Sequence, residues 1–225
     1  MAEFLTVVLV TLTSLLPICN PPSTAVLFLT LTAGYPKAHQ DREARMAAVY
    51  MTGILLIFFA GGSLIMTFFG ISLPGVRIAG GLIIARIGFG MLQTDPPEEV
   101  SEDTKEEAQH MRDIAFTPLA MPSLAGPGAI AVAITMASRA QGITGHLAVA
   151  IGIILVAAIA WLILRSAPFV VKFLGATGLN ALTRVMGFLL VCVGVQFVVI
   201  GVHGFFVDES LARPFLEMLD RVRAE

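Results

Sequence analysis

Acidic residues are missing from two long stretches of this sequence. No Asp or Glu occurs between Ala47 and Thr94, nor between Ile114 and Val207. Charged residues make up only 13% of the 225 residues, about half the share of a soluble domain, whereas apolar residues make up 56%. Apolar runs of this length are typical of membrane spans. The sequence therefore predicts an integral membrane protein with the lipid bilayer as its partner.

Several chemical groups are also scarce. No Lys or Arg precedes Lys37, which disfavours a cleaved signal peptide at the N-terminus. The two cysteines, Cys19 and Cys192, lack the spacing of a metal site or a disulfide framework. The spans hold no carboxylate pair, and the chain has no phosphate-binding glycine loop. We therefore predict no enzyme, no catalytic residue, no metal or other cofactor, and no nucleic-acid partner.

Six apolar segments are predicted to be transmembrane helices. They are Phe4–Ala33, Ala47–Phe69, Val76–Leu92, Ala115–Ser138, Leu147–Leu164 and Val185–Gly204. An acidic segment with two prolines and no apolar period separates the third from the fourth, which predicts a solvated linker. The predicted division is thus residues 1–92, a linker over 93–114, residues 115–204 and a short polar tail over 205–225.

Basic residues are unevenly divided between the two sides of the predicted membrane. The first, third and fifth loops carry more Lys and Arg than the opposite side, which includes both termini. Cytoplasmic loops carry the excess of bases in membrane proteins. The sequence therefore predicts a cytoplasmic linker and two periplasmic termini.

The two halves of the chain resemble each other. "VRIAGGLIIA" (Val76–Ala85) matches "TRVMGFLLVC" (Thr183–Cys192) at an offset of 107 residues. "LPICNPPSTAVLF" and "MPSLAGPGAIAVAI", in the first and fourth segments, align their prolines at nearly the same offset. Three spans per copy is an odd number, so the second copy must cross the membrane inverted, as in many secondary transporters. We predict an all-α membrane protein of six transmembrane helices in two inverted three-helix repeats.

The first segment of each predicted repeat is interrupted in its middle. The breaks fall at Asn20–Pro22 and at Pro122–Gly128. Proline removes a backbone donor, so such a break persists in a membrane only when it is buried in protein or lines a watery cavity. The freed half-helix ends carry partial charges of opposite sign, which suit the carboxylate and the ammonium of a zwitterion. We therefore expect the two breaks to meet and to bind a small zwitterionic solute.

The predicted site relies on the backbone together with a few side chains. Gly126 and Gly128 are expected to allow close backbone approach and unusual dihedral angles. The alternative for each break is a proline kink that only aids packing. The predicted substrate-binding residues are Asn20, Pro21, Thr24, Pro122, Ser123, Gly126, Pro127 and Gly128.

Other residues of the spans are open to plainer interpretations. Arg86 and Gln196 are considered for the polar interior, with snorkelling and interhelical hydrogen bonding as their alternatives. Arg77 and Arg184 begin their spans and are expected to snorkel. Glycines recur every seven residues in the third and sixth segments, which predicts close helix packing. These glycines are Gly81, Gly88, Gly187, Gly194 and Gly201.

These motifs resemble those of the MarC family of bacterial inner-membrane proteins. The matching stretches are "LLPICNPPSTAVLFL", "FGISLPGVRIAGGLI", "PLAMPSLAGPGAI" and "RVMGFLLVCVGVQFVVIG", which cover the chain except the linker and the tail. Where members often have a hydrophobic residue and glycine after Asn-Pro, this chain has Pro22 and Ser23. The family's signatures fall on Asn20, Pro21, Pro122, Gly126, Pro127 and Gly128.

The resemblance implies transport, because relatives are associated with small neutral amino acids such as glycine and alanine. This agrees with the zwitterion argument. We therefore predict a secondary-type transporter of small polar solutes in the bacterial inner membrane. An exporter of drugs or metabolites, suggested by the family's multiple-antibiotic-resistance locus, and a non-transporting scaffold are the alternatives. Coupling to a cation or a proton, the direction of transport and homo-oligomer formation stay open, since no carboxylate relay lies within the spans.

Overall fold

A computed structural model describes residues 1–93 and 113–207, and this part of the chain consists of helices and short connections. Most of the predicted linker and of the predicted tail lies outside the described residues. The helices are α1 (Ala2–Cys19), α2 (Pro21–Leu31), α3 (Lys37–Phe69), α4 (Leu73–Gln93), α5 (Ala115–Leu124), α6 (Pro127–Arg139), α7 (Gly142–Arg165) and α8 (Ala167–Val207).

Four of these helices are long and apolar enough to cross a membrane by themselves. They are α3, α4, α7 and the part of α8 from Thr177 onward. The pair α1 and α2 is bent by 43° and the pair α5 and α6 by 65°, and each pair passes the same test as one broken span. The all-helical fold is confirmed, with four clear spans and up to six when each bent pair is counted once.

Two helices begin ten or more residues earlier than the apolar pattern predicts. α3 begins at Lys37, ten residues before the expected Ala47. Its 33 residues extend about 50 Å, more than the roughly 30 Å of bilayer hydrocarbon. The charged first turns are held by pairs of side chains four residues apart, such as Lys37–Asp41 at 3.4 Å. Hydropathy marks where a helix enters lipid and not where its hydrogen bonding begins.

The expected fifth loop is also helical. α8 runs from Ala167, whereas the predicted sixth span began at Val185. The helix is interrupted only at Gly175, whose φ of 62° and ψ of 179° are non-helical. A positive φ is readily adopted by glycine alone, so the chain turns there and resumes its helix afterwards.

The glycine stripes place α4 and α8 in direct backbone contact. A Cβ built on Gly81 would lie 2.6 Å from the carbonyl oxygen of Gly194, and one built on Gly88 would lie 2.6 Å from that of Gly187. Residue numbers rise along α4 as they fall along α8, so the two helices are antiparallel. Small residues allow helix backbones to approach closely in membranes. The predicted packing role of these glycines is confirmed.

The packing partners of the two halves correspond to each other. α3 packs on α6 as α7 packs on α2, α4 packs on α6 as α8 packs on α2, and α1 packs on α7 as α5 packs on α3. α3 and α7 are antiparallel, because the Lys37 Nζ at the start of α3 donates to the Arg165 carbonyl at the end of α7 at 3.3 Å, while Phe59, further along α3, contacts His146 near the start of α7. A two-fold relation between halves would produce this pattern, and the inverted repeat stays a prediction.

Apolar side chains lie both inside the bundle and on its surface. Leu15, Met51 and Val132 are fully buried, whereas Leu64 and Phe68 are largely exposed. A lipid-facing surface has no need of polar side chains, provided that the backbone is satisfied internally. Within the bundle α6 is the most enclosed helix, with contacts to α1, α3 and α4.

Candidate functional site

The first break lies between α1 and α2. α1 continues through Pro17 and ends at Cys19, and α2 begins with Pro21. Asn20 joins them with φ 39° and ψ 60°, the only positive φ of a non-glycine residue in the described part of the chain. Asparagine tolerates this left-handed conformation better than most residues do, and proline suits the first position of a helix. The sequence at the break therefore matches its local geometry.

The second break lies between α5 and α6. α5 has wide, π-type turns, and Thr117 and Met121 within it are extended. Each of these two residues precedes a proline, and the residue before proline disfavours the helical region. α6 begins with Pro127, as α2 begins with Pro21. Both breaks thus end at a helix that starts with proline.

Gly126 at the second break is needed because there is no room for a Cβ atom, and not because of its dihedral angles. Gly126 has φ −72° and ψ 175°, which any residue can adopt. A Cβ built on Gly126 would lie 2.6 Å from the carbonyl oxygen of Pro122, closer than real Cβ contacts. Gly128 likewise does not have a positive φ. The expected close approach is therefore found, but the expected unusual dihedral angles are not.

Each break leaves backbone carbonyls without their helical donors. Pro21 and Pro22 have no N–H to give to the carbonyls four residues before them. Pro127 leaves the carbonyl of Ser123 in the same position. These oxygens carry the partial negative charge of a helix C-terminus. They suit an ammonium group or a cation.

Each break also leaves N–H donors at the start of its second helix. In α2 the first N–H belongs to Ser23, because two prolines precede it, whereas α6 offers those of Gly128 and Ala129. Neither Asn20 nor Gly126, the residues at the N-cap positions, caps its helix with a side-chain hydrogen bond. An uncapped helix N-terminus attracts anions such as a carboxylate.

A small polar cluster surrounds the first break. The Nδ2 of Asn20 donates to the Ser23 Oγ at 2.7 Å and approaches the Met91 Sδ at 3.7 Å. The Ser23 Oγ lies 3.3 Å from the Thr183 Oγ1 at the start of the last span. The Oδ1 of Asn20 is buried and has no hydrogen-bond partner. Buried polar atoms are nearly always paired, so this oxygen has unused capacity to accept a hydrogen bond.

The two breaks are close to each other across the end of α1. A Cβ built on Gly128 would lie 3.4 Å from the Ile18 Cγ2, two residues before Asn20. It would lie 2.8 Å from the Ile84 Cγ1 in α4. The beginning of α6 is therefore packed between α1 and the middle of α4. Apolar side chains form the wall between the breaks.

The remaining predicted residues lie in varied positions. Thr24 is buried, and its Oγ1 donates to the Asn20 carbonyl at 3.3 Å within its own helix. Pro21 is buried and Ser123 is half-buried, whereas Pro122 and Pro127 are exposed.

The two polar residues considered for the interior are both exposed. Arg86 lies on the outer face of α4, because Ile84 and Gly88 occupy the inner face of that helix. Gln196 lies on α8 and lines a cavity of about 200 Å³ that contains neither break. The structure therefore does not bring these two residues to the breaks.

Sequence reasoning missed Ser23 and Thr183. Ser23 could have been found, because it lies one helical turn after Asn20. Thr183 offered no local signal, since it is 160 residues away from Ser23 along the chain.

Comparison with known proteins gives consistent results. The profile of a family described as MarC family integral membrane protein matches residues 5–206. The relatives include UPF0056 inner membrane protein MarC from Escherichia coli K12 and its counterpart from Shigella flexneri. Each is 45% identical over 199 residues, which cover 84% of this chain and 90% of the relative. No solved structure matches the chain significantly.

Proposed function

The chain belongs to the MarC family of integral membrane proteins, and we propose that it is a secondary transporter of small neutral amino acids such as glycine and alanine. The observation that carries the proposal is the pair of breaks, each with free carbonyls on one side and uncapped N–H groups on the other. A zwitterion has one group for each kind of end.

The charge of the spans supports a zwitterionic solute. No Asp or Glu lies between Ala47 and Thr94 or between Ile114 and Val207, so a net positive charge on the solute would find no carboxylate there. Partial charges of helix ends suffice for a solute whose own charges cancel. A neutral amino acid fits this balance better than a basic one.

The walls of the second break support a small solute. A single Cβ on Gly126 or on Gly128 would already collide with neighbouring atoms. Ile18 and Ile84 close the space beside α6 with apolar groups. We therefore expect glycine and alanine to be accepted and amino acids with long side chains to be rejected.

We further propose that the protein lies in the bacterial inner membrane, as the names of its relatives state for them, with both termini in the periplasm. Basic residues at the start of α3 and at the end of α7 support this orientation, since Arg42, Arg45 and Arg165 line one cavity. Bases gather on the cytoplasmic side. A reporter fused to the C-terminus tests it: alkaline phosphatase should be active and a cytoplasmic fluorescent protein dark, and the reverse result would invert the topology.

Transport is tested with purified protein in proteoliposomes. We expect saturable uptake of labelled glycine and alanine, competition between the two, and no uptake of lysine or glutamate. Sodium and pH gradients applied separately identify the coupling ion. Empty liposomes and liposomes with an unrelated membrane protein are the controls.

Other outcomes identify the other functions. Energy-dependent movement of drugs without movement of amino acids would support an exporter. No movement of any of these solutes, with protein that remains folded and inserted in both orientations, would contradict transport and favour a scaffold.

A further inference from the structure

A second polar cavity lies apart from the breaks. It has a volume of about 200 Å³ and lies between α1, α4, α6 and α8. Its polar lining residues are Ser14, Arg77, Thr135, Arg139 and Gln196. Ser14 precedes Asn20 by six residues, which is about 9 Å along α1. The cavity is therefore separate from the site of the proposed transport.

Two buried polar atoms in this cavity lack partners. Thr135 is only 3% exposed, and its Oγ1 has no hydrogen-bond partner. The Nε of Arg77 is buried and also has none. Buried polar groups are rarely left unpaired in folded proteins. A hydroxyl and a guanidinium N–H are thus available to a ligand from two different helices.

The cavity is positively charged. Arg77 and Arg139 both line it, and neither forms an ion pair with any described residue. Among the described acids, Asp41 and Glu43 form ion pairs with residues at the start of α3. Asp113 accepts a hydrogen bond from the hydroxyl of Tyr50 in α3. These acids lie at the opposite end of the bundle. Glu3 is the one acid on this side of the described chain. It lines a neighbouring cavity of about 520 Å³ that Arg139 also lines, but the two side chains form no ion pair.

Arg77 differs from its counterpart in the predicted repeat. Arg184 is exposed, as snorkelling requires, whereas Arg77 is half-buried and turned into the cavity. Snorkelling therefore accounts for Arg184 and not for the buried Nε of Arg77. A partly buried guanidinium is stabilised by an anionic partner, and it binds oxyanions through two parallel hydrogen bonds.

We propose that this cavity binds an oxyanion group, a carboxylate or a phosphate, through Arg77 and Arg139. The Thr135 hydroxyl donates a further hydrogen bond, and Ser14 and Gln196 complete the polar lining. The group belongs either to a small soluble anion or to the headgroup of an anionic lipid. A volume of about 200 Å³ admits such a group but not a nucleotide.

The test uses the full-length purified protein and two kinds of probe. Thermal unfolding in detergent is followed as sodium acetate or sodium phosphate replaces sodium chloride at constant ionic strength. Native mass spectrometry then measures retention of phosphatidylglycerol against phosphatidylcholine. A ligand that binds only the folded protein raises its melting temperature in a saturable way.

We expect saturable stabilisation by acetate or phosphate, or selective retention of phosphatidylglycerol, in the unaltered protein. Arg77→Gln should abolish the response, and Thr135→Val should weaken the apparent affinity about tenfold, since it removes one hydrogen bond to a charged ligand. Arg184→Gln, the matched control, should respond like the unaltered protein. A response to soluble anions alone assigns a soluble ligand, and lipid retention alone assigns the headgroup.

Two results would overturn the proposal. One is the absence of both saturable stabilisation and selective lipid retention. The other is an identical response of Arg77→Gln and Arg184→Gln. Should Arg77→Gln not fold, the isosteric Thr135→Val and the exposed Arg139→Gln decide, and an unchanged affinity in both would reject the site.

Discussion

Each of the two broken helices is bent at its break, but the side chains at the two breaks differ. Both second halves begin with proline, but Asn20 and Ser23 at the first break correspond to Gly126 and Ala129 at the second. The first break therefore has a side-chain amide and a hydroxyl in hydrogen-bond contact. The second has no polar side chain at these positions and depends on its backbone. The first break depends on hydrogen-bonding side chains, and the second depends on close packing of its backbone.

The helices that follow the breaks are also buried differently. The buried residues of α2 are Pro21, Thr24, Ala25 and Phe28, whose spacing places them on a single face. α6 buries nearly every residue from Gly128 to Met136. That stretch includes Gly128 and three alanines, whose small side chains let neighbouring helices approach closely. A change in α2 can be relieved towards the surface, whereas a change in α6 must be absorbed by the helices packed around it.

The comparison indicates which kind of substitution should disrupt each break. A backbone site without Cβ atoms has no side chain to lose, and it fails when atoms are added. A side-chain site fails when a hydrogen-bonding group is removed. The following predictions rest on this difference.

Gly126→Ala should have the largest effect. The added Cβ would lie 2.6 Å from the Pro122 carbonyl oxygen, a backbone atom that cannot rotate away. Relief requires the break to move, at a cost of up to about 3 kcal/mol, so we expect uptake to fall about a hundredfold. The measurement is initial glycine uptake in proteoliposomes, normalised to folded protein. Gly53→Ala in α3 is the control, because its Cβ would meet nothing within 4 Å. Equal activity of the two variants would show that the second break is only a packing kink.

Gly128→Ala should have a smaller effect that can be rescued. Its Cβ would lie 2.8 Å from the Ile84 Cγ1, which belongs to a side chain that can adjust. We expect uptake to fall about tenfold, and the double variant with Ile84→Ala to regain most of it, because the second change removes the colliding atoms. A double variant that transports less than either single variant would contradict this steric account.

Asn20→Gly should separate the role of the amide from that of the backbone. Glycine keeps the left-handed conformation, so the fold should be retained while the half-saturation concentration for glycine rises about tenfold, the effect of losing one hydrogen bond to a buried group. Asn20→Ala should in addition lower stability by about 1 kcal/mol, since alanine disfavours a positive φ. Kinetics and thermal unfolding of both variants provide the measurement. An unchanged half-saturation concentration in Asn20→Gly would remove the amide from the site.

Arg86→Gln should have the smallest effect. The side chain is exposed on the outer face of α4, and substitutions at such positions change free energies by no more than about 0.5 kcal/mol. We expect uptake within about twofold of the unaltered protein. A loss comparable to that of Gly126→Ala would place Arg86 in the transport pathway despite its exposure.

Much of the fold follows from local patterns. Apolar runs predicted the spans, because burial in lipid requires apolar side chains along the whole helix. Prolines predicted both breaks, because the missing N–H interrupts the helix at the proline itself. Helix ends were predicted less well. The beginning of α3 at Lys37 lies in charged sequence, where hydropathy carries no signal. The helical segment from Ala167 to Leu174 is mostly apolar, but its eight residues are too few to be predicted as a span.

The candidate site was predicted in part. The close approach at Gly126 and Gly128 is present, whereas the hydroxyl of Thr24 is used within its own helix and Ser23 makes the contact with Asn20. Neighbouring hydroxyls look alike in a sequence. Only the rotation of α2 about its axis decides which of them faces α8.

The sequence by itself determined that this chain enters a membrane, where its helices break, and that the second break allows close backbone approach at glycine. These properties depend on hydropathy, on missing donors and on missing Cβ atoms, all of which belong to single residues or short stretches. The tertiary structure alone decided that Ser23 meets Thr183, that Arg77 turns into a cavity while Arg86 faces outward, and that the start of α6 packs against Ile84. Such contacts depend on how each helix is rotated and staggered against partners far away in the chain, and no local pattern encodes that arrangement.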